Sequence, residues 1–105
     1  MTVKQSKRQK LERNGWRVGT ASDFLGLSAE ESAYIEMKLA LSEALREERE
    51  KKNLSQVQLA RLIASSQSRV AKMEAADSSV SMDLLVKSLL ALGVARKKVA
   101  RVLAA

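Results

Sequence analysis

The chain has 105 residues, with 19 Lys and Arg against 12 Asp and Glu, a formal net charge of +7, and neither Cys nor His. That length suits one small domain with a helical core, and the missing thiols and imidazoles exclude disulfides, zinc clusters and the commonest catalytic proton shuttles. No stretch approaches the roughly 18 apolar residues of a membrane span, and no apolar run of signal-peptide length follows the basic N-terminus, so a cytoplasmic protein that is not an enzyme and holds no metal or other cofactor is expected.

Residues 1–17 carry Lys4, Lys7, Arg8, Lys10, Arg13 and Arg17 against Glu12 alone, which makes residues 1–27 a basic, partly flexible arm. Ser28 followed by Glu31 reads as a capping box, so the first helix starts near Ala29. Its apolar positions Tyr34, Met37, Leu41, Ala44 and Leu45 recur every three or four residues, and the face dissolves into charge before Asn53. Charge is acidic from Asp23 to Glu50 and turns basic again over Lys51, Lys52, Arg61, Arg69 and Lys72. A nucleic-acid surface is therefore expected around residues 51–72 and not over the whole chain.

Ser55 can cap a second helix bearing Leu59, Ala60 and Ile63 on one face, and Ser65 or Ser66 can cap a third bearing Val70 and Met73. Ser81 caps a fourth, with Met82, Leu85, Val86, Leu89 and Leu92 inward, which stops before Gly93. A short C-terminal helix in residues 95–105 runs through Val99, Val102 and Leu103. No segment alternates with period two, so the fold class is all-α with five helices.

Two short helices joined by a tight turn, the second opening with polar residues, can lay that second helix in the DNA major groove. The run LSQVQLARLIASSQSRVAKME, residues 54–74, resembles the helix-turn-helix core of the phage-repressor or XRE family, and the likeness continues through SMDLLVKSLLALGV, residues 81–94. The resemblance implies a DNA-binding domain over residues 28–94 that represses transcription from a palindromic operator as a homodimer. Leu84, Leu90, Val99, Val102 and Leu103 are the expected interface, if they do not simply finish the monomer core. In that family the second helix opens with Ser or Thr and Gln and carries a Leu-Ala pair, here Ser55, Gln56, Leu59 and Ala60. Gln56 then clamps a phosphate at a helix N-terminus.

Gln67 can pair with N6 and N7 of an adenine, and Ser68 and Lys72 would face the same groove. Lys72 either reads a base or touches a phosphate, and Arg69 meets either a base or the backbone. Ser66 is a cap and a phosphate ligand, while Lys52 and Arg61 are expected to hold phosphates irrespective of sequence. The resemblance further implies an ion pair between Arg49 and Glu74, which turns Arg49 toward a phosphate. Three positions depart from the pattern: Ala64 and Ala76 stand where the family usually has Gly, and Ser65 where it has an apolar residue. The turns must then avoid positive φ or accept strain of order 1 kcal/mol.

Upstream, SDFLGLSAEESAYIEMKLALSEALREE, residues 22–48, is similar to the lead-in of HigA-like antitoxins, which repress their own operon and neutralise a RelE-type toxin of the HigB kind. On that likeness Trp16, Phe24 and Leu25 bind the partner protein; alternatively, Trp16 and Phe24 plug the arm onto the helices. A helical adaptor that binds another protein without specific DNA readout is the competing function.

Overall fold

A computed structural model describes residue 26 and residues 28–104. They form five helices and no strand: α1, Ala29–Lys51; α2, Gln56–Leu62; α3, Gln67–Glu74; α4, Met82–Ala91; and α5, Arg96–Ala104. The chain divides into two units between Met37 and Lys38. The described part of the first is residue 26 and the capped opening of α1, while the second, Lys38–Ala104, holds the rest of α1 and the other four helices.

Serines begin four of the helices. Ser28 Oγ accepts the Glu31 N–H at 3.1 Å while Glu31 Oε1 accepts the Ser28 N–H at 2.9 Å. Ser55 repeats this reciprocal arrangement with Gln58, at 3.1 and 2.7 Å. Ser66 caps α3 through the Arg69 N–H and Ser81 caps α4 through the Leu84 N–H, at 3.2 and 3.1 Å. Each such cap stabilises its helix by about 1 kcal/mol. Of the two serines able to cap α3, Ser66 takes the role, because it stands in extended backbone directly before Gln67, while the Ser65 N–H closes the end of α2 on the Ala60 carbonyl at 2.7 Å.

α1 to α4 all close in one way, with a residue at positive φ just past the helix: Asn53 at 59°, Ala64 at 54°, Ala76 at 55° and Gly93 at 92°. In each case the next N–H turns back to a carbonyl of the last turn, as in Leu54 to Arg49, Ser65 to Ala60, Asp77 to Lys72 and Val94 to Leu89. These bonds satisfy carbonyls that the helix leaves orphaned. Gly93 adopts the left-handed conformation freely and Asn53 at little cost, but Ala64 and Ala76 each carry strain of roughly 1–2 kcal/mol. The two alanines thus accept positive φ instead of avoiding it.

Burial of apolar side chains outweighs that strain. Leu41, Leu45, Leu59, Val70, Met73 and Leu85 are 0 % exposed, and Ala60, Val80, Leu89, Leu92 and Val99 join them in one core. Full burial of a side chain of this size contributes about 1.5–3 kcal/mol. Tyr34 lies outside this set, since it is exposed although its spacing belongs to the apolar face of α1. Val99 is buried in the core, and Leu84, Val102 and Leu103 pack partly buried against it, so of the five residues expected at an interface only Leu90 stands exposed.

Candidate nucleic-acid interface

α2 and α3 pack directly on each other, joined by the four residues between Leu62 and Gln67. Leu59 and Ala60 of α2 and Val70 and Met73 of α3 turn inward. Helical periodicity then forces Ser68, Arg69 and Lys72 outward, and they are exposed along with Ser66 and Gln67. The arrangement is a shallow polar surface on a rigid pair of helices.

Under that surface, a buried ion pair ties three segments together. Arg49 Nε and Nη2 donate to Glu74 Oε2 and Oε1 at 2.6 and 3.0 Å, and Arg49 Nη1 donates to the Leu54 carbonyl at 2.7 Å. The side chains are only 12 % and 5 % exposed, so water screens the attraction little. The hydrogen bond to Glu74 raises the Arg49 pKa above its ordinary value, against the opposing effect of burial. Arg49 is thereby committed to Glu74 and to the turn after α1, with Glu50 at 3.9 Å as a distant neighbour.

Two amides extend this network to the surface. Gln56 Nε2 donates to Glu74 Oε1 at 3.1 Å, and Gln67 Nε2 donates to Gln56 Oε1 at 2.7 Å. Gln56 is half-buried at the start of α2 and Gln67 exposed at the start of α3. By sequence alone these two glutamines are separate contacts, since no spacing rule links positions eleven apart on different helices. Their tie depends on how α2 crosses α3.

Ser66, Ser68, Arg69, Lys72, Ser79 and Val80 line an open polar cleft of about 350 Å³. Ser79 belongs to the loop after α3 and has no motif to mark it in the sequence. Asp77 Oδ1 fixes that loop by accepting the N–H and hydroxyl of Ser79 at 2.8 and 2.7 Å, and the hydroxyl bond is the leading cause that lowers the Asp77 pKa. From α1, Lys38 Nζ reaches the Ser78 carbonyl at 3.5 Å. Lys52, in the turn after α1, and Arg61, on the outer face of α2, are exposed and stand outside both the amide network and the cleft. Trp16, Phe24 and Leu25, together with the basic arm, lie outside the described residues.

Among the described residues, no helix is long and apolar enough to cross a membrane. A family model described as helix-turn-helix matches residues 45–99 of the 105, a span that contains α2, α3 and α4 whole. Comparison with curated proteins and with solved structures gives no match.

Proposed function

Since the chain belongs to the helix-turn-helix family of DNA-binding regulatory domains, we propose that it is a cytoplasmic repressor, not an enzyme, which reads a palindromic operator as a homodimer. The observation that carries this is the outward polar face of α3, where Ser66, Gln67, Ser68, Arg69 and Lys72 are all exposed on a helix whose other face is locked into the core. Gln67 and Ser68 read base edges, Ser66 and Gln56 take phosphates, and Arg69 and Lys72 add positive charge to the groove. Lys52 and Arg61 supply further phosphate contacts, and Arg49 reaches the backbone only as far as its bond to Glu74 allows. One such domain contacts too few bases to select a site in a genome, so two copies bind half-sites about 34 Å apart.

Footprinting of the purified chain on the promoter of its own gene tests the reading. Protection of a two-fold symmetric site is expected, with a dimer on that site by sedimentation. Uniform, sequence-independent protection, or a monomer on the full site, overturns it.

An antitoxin role is the second reading. It rests on the resemblance of residues 22–48, and one surface feature favours it: Tyr34 and Ile35 stay 47 % and 41 % exposed in a shallow apolar recess with Glu30 and Glu31. Apolar anchors beside carboxylates suit a cationic, RelE-like toxin of the HigB kind. Co-expression with such a toxin encoded beside the gene tests it. Trp16→Ala with Phe24→Ala, or Leu25→Ala, should then abolish capture and leave operator affinity intact.

A further inference from the structure

We infer that Glu74, though buried and remote from any base, determines which base pair Gln67 selects, by fixing the polarity of the two amides between it and the surface. The inference rests on the DNA-reading role proposed for α3 and deepens it.

A carboxylate can only accept hydrogen bonds, whereas a glutamine amide has one donating and one accepting end. Glu74 is held as the carboxylate partner of Arg49 by two hydrogen bonds, at 2.6 and 3.0 Å. Gln56 must therefore turn its Nε2 inward to Glu74, as it does at 3.1 Å. That choice leaves Gln56 Oε1 facing outward, where it can only accept. Gln67 answers with its own Nε2, at 2.7 Å. One of the two Gln67 N–H groups is thus spent, and what remains is one N–H beside Oε1.

A donor beside an acceptor matches adenine, which shows an acceptor at N7 and a donor at N6. Guanine shows two acceptors, N7 and O6, and would leave Gln67 Oε1 opposed to a lone pair. An unmade bond at a desolvated edge is more costly than a made bond is favourable, so the preference for adenine follows from the orphaned oxygen. Without the relay the Gln67 amide can turn over, release both N–H groups and accept either purine. Glu74 acts here as a positioning residue through Gln56, and the two hydrogen bonds from Arg49 hold its side chain in place at 5 % exposure.

Binding of the full-length chain to its selected site tests this, with the base pair read by Gln67 located through Gln67→Ala and then changed from A·T to G·C. The wild type should favour A·T by roughly ten-fold or more. Gln56→Met removes the relay at a half-buried position, and Glu74→Gln makes its inner end reversible. Both should reduce the preference to within about three-fold, whatever they do to affinity overall. Arg49→Lys keeps a cation beside Glu74 and should retain the preference. Circular dichroism shows whether Glu74→Gln has folded; Gln56→Met decides the matter if it has not. A Gln56→Met protein with the wild-type ratio, or a specific site at which Gln67 selects no base, overturns the relay and leaves the proposed function standing. A chain that selects no DNA sequence overturns both.

Discussion

Glu48 of α1 and Lys98 of α5, fifty positions apart in the chain, are joined by an ion pair that fastens the last helix to the first. Glu48 is buried, and Lys51 also approaches its Oε2 at 3.4 Å. The hydrogen bond from Lys98 lowers the Glu48 pKa below its ordinary 4.5, against the effect of burial, and the same bond raises Lys98 above 10.5.

The acid limb of stability follows from that pair. Because Glu48 binds its proton less tightly in the folded chain, the stabilisation is complete above about pH 4.5 and is lost as the pH falls through the lower folded value. The Lys98 contribution has the opposite sense, present below pH 10.5 and lost as the pH rises through its higher folded value. Urea unfolding of wild type and Glu48→Gln should differ most near neutrality and converge toward pH 3. An equal gap at both pH values would show that the carboxylate charge is irrelevant to the docking of α5.

Relief of strain at the helix ends is expected from glycine. Ala64 and Ala76, at φ 54° and 55°, should each gain roughly 0.5–1 kcal/mol on replacement by Gly, since the backbone penalty exceeds the entropy that Gly adds to the unfolded chain. Thermal unfolding of Ala64→Gly and Ala76→Gly checks this. A lower melting temperature in both would mean that packing of the alanine methyls outweighs the dihedral cost.

Two buried hydroxyls work against the fold. Ser42 and Ser88 are 2 % and 1 % exposed, and their Oγ atoms find no hydrogen-bond partner among the described residues. Ser88→Ala deletes an unpaired polar atom and should stabilise the chain by about 1 kcal/mol. Ser42→Ala should behave alike, with better helix propensity as a second contribution. Destabilisation by either variant would point to an ordered partner for that hydroxyl.

Base readout and backbone contact should separate by variant. Gln67→Ala is expected to cost about 1–3 kcal/mol on the specific site and to relax preference at one base pair. Lys52→Ala or Arg61→Ala should weaken all sequences together and flatten the logarithmic salt dependence by about one unit. Titrations on specific and random duplexes at several salt concentrations distinguish the two patterns. Equal losses on both duplexes for Gln67→Ala would remove it from base recognition.

The local elements were legible in the sequence because they depend on near neighbours. Ser28, Ser55, Ser66 and Ser81 mark helix starts by chemistry acting over three residues, and Gly93 marks a helix end by its own freedom of φ. Apolar spacing likewise picked out Leu41, Leu45, Leu59, Val70, Met73, Leu85 and Leu89 as the inward face. What composition and period could not assign was which residues meet across helices. Tyr34 has core spacing yet stays exposed, and it is not among the described residues of the core. Val99 looks available for an interface yet fills the monomer core, beside the Glu48–Lys98 pair that holds α5 in place. The path Arg49, Glu74, Gln56, Gln67 exists only once the turns at Asn53 and Ala64 bring the end of α1 and the start of α2 against both ends of α3. Hydrogen-bond polarity is a property of that closed network, and no single helix encodes it.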